Sequence, residues 1–222
     1  MTLDAVVAAL PSARAARLVG SGRVAVRGMT HDSRQVEAGM MFACVRGEHH
    51  DGHRFAGPAV DAGAAALLVD HALDAPVPQV VVDDTRLAMG PAAARAYGDP
   101  SSSLLLVGIT GTNGKTTTTH LLASILRAAG RSTGVIGTLS GGHTTPEAPE
   151  LQARLAEFRD QQTHVGLWRR RHTIRHAVQT PHSRDLNTRC AGARDHRGPR
   201  TVRRPAGYAA LGDVSADGRE PV

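Results

Sequence analysis

The sequence predicts an α/β protein with two organised blocks and a tail. Short β-rich runs alternate with helical runs up to about residue 100, which is the pattern of strands connected by helices. An apolar run at 103–110 then leads into a glycine-containing loop and a helical segment, as in a parallel sheet that binds phosphate. From residue 166 onward the apolar periodicity disappears. We therefore predict domains at 1–100 and 101–165, and a disordered tail at 166–222.

The first block contains four predicted strands and two predicted helices. The β-rich runs are 23–26, 40–45, 65–69 and 79–83. The helical runs are 53–63 and 85–97. Pro58 is expected in the first turn of the first helix or at a break in it, and Gly90-Pro91 is expected to disturb the second.

The second block opens with the strand at 103–110, which we expect to be buried on both faces. A helix is predicted to follow Thr116 and to run to about residue 129, ended by Gly130, and a further strand is predicted at 134–138. The apolar residues expected on one face of this helix are Leu121, Leu122, Ile125, Leu126 and Ala129.

The composition places the chain in the cytoplasm. Hydrophobic residues make up 41% of its 222 residues, but no apolar run is long enough to span a membrane. Asp4 stands where a signal peptide carries positive charge, and Cys44 and Cys190 form no disulfide framework. We expect a cytoplasmic monomer.

The charge of the chain is unevenly distributed. The formal net charge is +6, but residues 1–158 sum to −1 and residues 159–222 sum to +7. A nucleic-acid partner is therefore not expected for the organised blocks. Lys115 is the only lysine among 26 basic residues, which indicates a role that arginine does not fill.

The loop before the predicted helix has the residues of a phosphate-binding loop. Gly111 and Gly114 allow backbone N–H groups to turn onto phosphate oxygens, and the start of the helix adds partial positive charge. Lys115 supplies an ammonium group, and the hydroxyl of Thr116 is a ligand for Mg²⁺. Ile109 stands where the strict pattern has glycine. A glycine-rich turn between buried elements is the alternative interpretation.

The segment 108–118, GITGTNGKTTT, resembles the ATP-binding signature of the Mur ligases, the ATP-dependent amide-forming enzymes of peptidoglycan synthesis. The resemblance runs from Val24 to Val165. The motif GTNGKTTTT at 111–119, together with residues 137–138 and 144–147, resembles the MurE type, which makes the third amino-acid addition of the pathway. Segments similar to the N-terminal domain of the family are 30–34, 39–43 and 47–53.

The resemblance implies addition of meso-diaminopimelate or L-lysine to UDP-N-acetylmuramoyl-L-alanyl-D-glutamate, with ATP and Mg²⁺ as cofactors. In that chemistry ATP phosphorylates the D-glutamate side-chain carboxylate, and the amine of the diamino acid displaces the phosphate. Lys115 is the implied catalytic residue, and Thr116 is the implied metal ligand. The implied ATP contacts are Gly111, Thr112, Asn113, Gly114, Lys115, Thr116 and Thr117.

The resemblance also assigns the contacts to the UDP-linked substrate. His31, Ser33, Glu48, His49 and His50 would contact its uridine-diphosphate end. Thr144 and Thr145 would contact its muramoyl-peptide part. The alternative for Ser33 is a turn cap, and the alternative for the loop histidines is an exposed polar loop.

The family pattern stops shortly after residue 165. The family has a glutamate-bearing strand there, then a Ser-Ser-His segment and a second lysine that becomes carbamylated and helps to hold Mg²⁺. This chain reads GLWRRRH at 166–172 and has no second lysine. The domain for the incoming amino acid is also missing. We therefore expect a truncated, inactive ligase.

Three interpretations of the tail remain open. They are an out-of-frame translation, a disordered basic tail that contacts RNA or an acidic partner, and a metal site built on His172 and His176. A second class of function for the whole chain is a non-catalytic module that binds a nucleotide-sugar or RNA.

Overall fold

The computed structural model describes residues 1–10, 16–47, 50–109, 111, 113–137 and 146–169. The helices of this described part are α1 (Leu3–Ala8), α2 (Ala56–Asp61), α3 (Thr85–Ala96), α4 (Lys115–Ala128) and α5 (Ala148–Asp160). Its strands are β1 (Arg17–Val19), β2 (Gly28–Thr30), β3 (Met40–Ala43), β4 (Ala66–Val69), β5 (Gln79–Val81), β6 (Leu105–Ile109), β7 (Thr133–Ile136) and β8 (Val165–Arg169). Short 3₁₀ helices lie at Ser33–Gln35, Gly52–Phe55 and Pro100–Ser103.

The first sheet has five strands in the order β1-β5-β4-β3-β2. Strands β2 to β5 are parallel to one another, and β1 runs antiparallel to β5. One row of the sheet pairs Thr30 with Phe42, Phe42 with Leu67, and Leu67 with Gln79. The parallel strands therefore end at one common edge.

Both faces of the first sheet are covered. Leu67 and Leu68 are consecutive in β4 and are both fully buried, but they belong to different core clusters. Leu68 packs in the cluster that includes Leu3 of α1 and Ala92 of α3, whereas Leu67 packs in the cluster that includes Ala59 of α2. This alternation is the period-two pattern of a strand buried on both sides.

The second sheet has three parallel strands in the order β6-β8-β7. Helix α4 packs on one face, where Ala123 joins Val165 and Leu167 of β8 in a small core. Helix α5 covers the other face, since a Cβ placed on Gly134 would lie 2.5 Å from the ring of Phe158.

Helix α5 joins the two sheets. Its residues Leu151 and Leu155 are buried in the same core cluster as Leu68 of the first sheet. Arg159 donates a hydrogen bond from Nη1 to the carbonyl oxygen of Tyr97 at the end of α3, at 2.8 Å. Residues of the first block therefore supply part of the apolar burial of the second sheet.

The structure confirms the α/β class and most of the predicted elements. Strands β3, β4 and β5 and helices α2, α3 and α4 lie where the sequence predicts them. Pro58 lies in the first turn of α2, and α3 continues through Pro91. Gly130 has a φ of +73° after α4, as expected of a glycine that ends a helix.

The prediction of a strand at 23–26 is wrong. That segment contributes a single isolated bridge, between Ala25 and Thr2, and the flanking strands β1 and β2 were not predicted. Strand β2 is short and contains Gly28, so its sequence lacks a β-rich run. It forms because Gly28 leaves room for the ring of Tyr97, whose hydroxyl donates to the carbonyl oxygen of Met29 at 3.2 Å.

The prediction that β6 is buried on both faces is also wrong. In the described part of the chain β6 is an edge strand, and Leu105 is 64% exposed. The residues predicted to form one apolar face of α4 do not all face the sheet. Leu122 and Leu126 pack towards the sheet, whereas Leu121 and Ile125 are exposed.

The ordered chain continues past the predicted boundary at residue 165. Residues 166–169 belong to β8, which is the central strand of the second sheet. Disorder was predicted from residue 166, so the prediction is wrong for these four positions, because β6 pairs with all four and β7 also pairs with residues 166–168. The rest of the tail, with His172 and His176, lies outside the described residues.

Candidate nucleotide site

The candidate phosphate-binding loop connects β6 to α4. Strand β6 ends at Ile109, and α4 begins at Lys115. Gly114 is the N-cap of α4 and has a φ of +75°, a conformation that favours glycine. Gly111, earlier in the loop, also has a positive φ, of +150°. These glycines let the chain turn sharply from the strand into the helix.

Lys115 folds back over this loop. Its Nζ donates a hydrogen bond to the carbonyl oxygen of Gly111 at 2.5 Å, and the side chain is half-buried. The ammonium group therefore lies beside the start of α4, where the helix dipole adds partial positive charge. Thr116 is also half-buried, and Thr117 and Asn113 are exposed. The arrangement places positive charge where phosphate oxygens bind to such loops.

The predicted uridine contacts His31 and Ser33 directly follow β2. Ser33 begins the 3₁₀ turn, and its N-cap is Asp32, whose carboxylate accepts from the backbone N–H of Arg34 at 3.0 Å. The cap is therefore Asp32, and the turn-cap alternative for Ser33 is wrong. Nδ1 of His31 is buried and has no hydrogen-bond partner within the described ranges. This nitrogen is a polar group that a ligand would satisfy.

The Asp32 carboxylate is held by Arg34. The guanidinium donates to Asp32 from Nε at 2.9 Å and from Nη2 at 2.7 Å. These side-chain hydrogen bonds, more than any other interaction, lower the pKa of Asp32 to about 2. Sequence reasoning did not single out Arg34. Its signal is an aspartate two residues before an arginine at the start of a turn.

A cleft of about 380 Å³ opens beside this turn. Thr30 and Arg34 line one side, and Pro149 and Glu150 of α5 line the other. The cleft therefore lies between the end of β2 and the helix that joins the two sheets. It is a candidate pocket for part of a substrate.

Of the other predicted substrate contacts, His50 lies among the described residues. His50 is exposed, and its carbonyl oxygen accepts from the N–H of Gly47 at 2.9 Å. Because β2 and β3 are parallel, the loop with His50 and the turn with Ser33 leave the sheet at the same edge. The predicted contacts Glu48, His49, Thr112, Thr144 and Thr145 lie outside the described residues.

Cys44 is a buried residue in the first block. The thiol is free, and burial raises its pKa to about 12. Such a thiol does not act as a nucleophile near neutral pH.

No helix in the described ranges is both long and apolar enough to cross a membrane.

Two family models match consecutive parts of the chain. The model described as "Mur ligase family, catalytic domain" matches residues 25–97, and the model described as "Mur ligase middle domain" matches residues 109–167. Together they cover more than half of the chain. The chain belongs to the Mur ligase family. The second match extends into β8, beyond the predicted boundary at 165.

Two similar curated proteins carry the same name. The chain is 43% identical over 142 residues to a UDP-N-acetylmuramoyl-L-alanyl-D-glutamate--2,6-diaminopimelate ligase from Aquifex aeolicus, a match over 60% of the chain and 30% of that relative. It is 44% identical over 149 residues to the ligase of the same name from Listeria innocua, over 63% of the chain and 30% of the relative. The chain thus spans about a third of the length of these relatives.

Solved structures show the same fold. A structure of UDP-N-acetylmuramoyl-L-alanyl-D-glutamate--2,6-diaminopimelate ligase aligns with a TM-score of 0.59 and 28% identity, over 68% of this chain and 33% of that one. A crystal structure of MurF from Acinetobacter baumannii aligns with a TM-score of 0.56 and 26% identity, over 76% and 35%.

Proposed function

We propose that this chain is the substrate- and nucleotide-binding part of an ATP-dependent, MurE-type Mur ligase. The reaction joins meso-diaminopimelate or L-lysine to UDP-N-acetylmuramoyl-L-alanyl-D-glutamate in the cytoplasm. The names of the curated relatives support this assignment. The observation that carries it is the position of Lys115 at the start of α4, folded over the turn made by Gly111 and Gly114.

The loop fits the phosphates of ATP. Gly114, the N-cap of α4, has no side chain to shield the helix start, so phosphate oxygens can approach the first turn of the helix. In this proposal Lys115 exchanges the carbonyl oxygen of Gly111 for phosphate oxygens, and Thr116 supplies one oxygen ligand to Mg²⁺. Bound Mg²⁺ would supply further positive charge to the transferring phosphoryl group.

The remaining loop contacts complete the proposed ATP site. Gly111, Thr112, Asn113, Gly114 and Thr117 would surround the phosphates together with Lys115 and Thr116. Their role is to fix the phosphates in position and to neutralise charge, which supplies most of the rate in phosphoryl transfer.

The first block would bind the UDP-linked substrate. His31, Ser33, Glu48, His49 and His50 are the proposed uridine-diphosphate contacts, and Thr144 and Thr145 are the proposed muramoyl-peptide contacts. The buried Nδ1 of His31 and the cleft beside Arg34 support a binding site at this edge of the first sheet. The proposed domains are 1–100 and 101–165, with the second extended to Arg169 by β8.

Calorimetric titration of ATP with Mg²⁺ into the chain tests the nucleotide site. We expect Lys115→Ala to weaken ATP binding by about 1.5–3 kcal/mol, because a charge-assisted hydrogen bond to phosphate is lost. The matched control is Arg131→Ala, which removes an exposed cation beyond the end of α4. Equal ATP affinity in wild type and Lys115→Ala would contradict the proposed site.

Mass spectrometry of a complete reaction mixture tests the competence of the chain alone. We expect no tripeptide product with either diamino acid, because Lys115 is the only lysine and none remains to form the carbamate that the resemblance implies. Arginine cannot replace it, since a guanidinium stays protonated. A product whose formation is abolished by Lys115→Ala would contradict the expected inactivity.

A further inference from the structure

A cluster of polar side chains lies where the loop after β3 meets the end of β4. One ligand atom each from His53, Asp70 and His71 lies within 4.8 Å of the others. None of these residues has a role in the proposed ligase chemistry. We propose that this cluster is a binding site for a divalent transition metal such as Zn²⁺, with His53 Nε2, the Asp70 carboxylate and His71 Nδ1 as ligands.

His53 is oriented as a metal-binding histidine is. Its Nδ1 lies 2.6 Å from the Asp51 carboxylate, which also accepts the backbone N–H of His53 at 3.0 Å. Asp51 thereby places the ring proton on Nδ1, and the lone pair of Nε2 points towards Asp70. The side chain of His53 is 5% exposed, so this orientation is fixed by packing. Nε2 accepts the backbone N–H of Asp70 at 3.2 Å, a bond that a metal would replace.

The Asp70 carboxylate is also held in place. Arg46 donates from Nε to Oδ2 at 2.7 Å and from Nη2 to Oδ1 at 3.3 Å, so Oδ1 is shared between the guanidinium and the two histidines. Oδ1 lies 3.2 Å from Nε2 of His53 and 2.5 Å from Nδ1 of His71. The cluster therefore offers one carboxylate and two imidazoles. This set of ligands suits Zn²⁺, whereas Mg²⁺ and Ca²⁺ are bound by oxygen ligands.

The spacing fits a tetrahedral ion after a small movement. Ligand atoms at the usual zinc distances are about 3.3 Å apart around a tetrahedron, which is close to the observed separation of His53 and Asp70. His71 must open its contact with Asp70 by about 0.8 Å. It must also approach His53, because the three ligand atoms are spread over up to 4.8 Å. Its side chain is 54% exposed and only stacks on His53, with ring centroids 4.7 Å apart. A water molecule would take the fourth position.

Titration of the full chain with Zn²⁺, and with Co²⁺ as a visible probe of tetrahedral geometry, tests the site. We expect one Co²⁺ to give tetrahedral absorption bands that His71→Ala removes. Asp51→Asn is expected to weaken Zn²⁺ binding about 10–100-fold, because it removes only the group that orients His53.

Two controls separate this site from other histidines. The double variant His172→Ala, His176→Ala should retain the Co²⁺ bands, and so should His120→Ala, which removes an exposed histidine of α4. Circular dichroism of each variant checks that it folds. Loss of the bands only in the tail variant, unchanged Zn²⁺ affinity in Asp51→Asn, or no tetrahedral Co²⁺ binding by wild type would each overturn the proposal. If wild type shows no tetrahedral Co²⁺ binding, the cluster serves only to form hydrogen bonds within the protein.

Discussion

The two sheets of the chain differ in how completely their apolar surface is covered. In the first sheet every residue of β4 is buried, because helices pack on both faces. In the second sheet the edge strand β6 exposes Leu105, and α4 exposes Leu121 and Ile125. The first sheet thus has a core of its own, whereas the second depends on α5 and on the first block for much of its burial.

This difference bears on the proposed nucleotide site. The loop with Lys115 leaves β6, which is an edge strand and the least covered strand of the second sheet. Regions with few buried apolar contacts open locally at low free-energy cost. We therefore expect β6 and the start of α4 to open locally more readily than the edge of the first sheet that carries His31 and Ser33.

The largest expected effect comes from the core of the first sheet. Leu68→Ala should lower the free energy of unfolding by about 2–5 kcal/mol, because it leaves a cavity in a fully packed cluster. The matched substitution Leu121→Ala on the exposed side of α4 should change it by less than about 0.5 kcal/mol. Urea denaturation of both variants measures the difference. Similar losses in the two variants would show that α4 is covered in solution.

A smaller effect is expected inside the second sheet itself. A Cβ at Gly134 would lie 2.5 Å from the ring of Phe158, whereas a Cβ at Gly108 would meet nothing within 4 Å. Gly134→Ala should therefore cost about 1–3 kcal/mol through overpacking against α5. Gly108→Ala should stay within about 0.5 kcal/mol, and thermal unfolding compares the two. Equal stability would contradict the packing of α5 on β7.

Local signals explain which elements were predictable from the sequence. Asp84 accepts the N–H of Leu87 at 3.0 Å at the start of α3, and Gly130 adopts a positive φ after α4. Both signals are carried by residues close to the helix ends, so the helix bounds follow from them. The strands β4 and β5 likewise come from continuous apolar runs.

The missed elements depend on distant partners. Helix α5 buries Leu151 and Leu155 against the first block, while its sequence also contains Pro149 and many charged residues. Strand β8 is short and ends in the arginine run that begins at residue 169, but pairing with both neighbouring strands makes it central. Asp70 joins His53 only through the parallel pairing of β3 and β4. None of these contacts is encoded by a local pattern.

The hydrogen bond that connects α5 to the end of α3 should contribute modestly to the free energy of unfolding. Arg159→Ala removes the hydrogen bond to the carbonyl oxygen of Tyr97, and we expect a loss of about 0.5–1.5 kcal/mol. Arg154→Ala on the same helix is the control, because Arg154 is exposed. Chemical denaturation of the two variants gives the comparison. If both variants lose the same stability, helix charge rather than the Tyr97 contact is responsible.

The smallest expected effect is the pH dependence carried by Asp32 at the edge of the first sheet. Hydrogen bonds from Arg34 lower the pKa of Asp32 to about 2, below the value of about 3.9 expected in an unfolded chain. The unfolded state therefore takes up this proton first, so the contribution is complete above about pH 4 and disappears as the pH falls towards 2. Solvent screens the pair because Arg34 is 87% exposed, which keeps the effect small. Stability of wild type and Asp32→Asn, measured from pH 6 to pH 2 in roughly unit steps, should converge at the acid end. A constant difference across that range would mean that the carboxylate charge does not hold this turn.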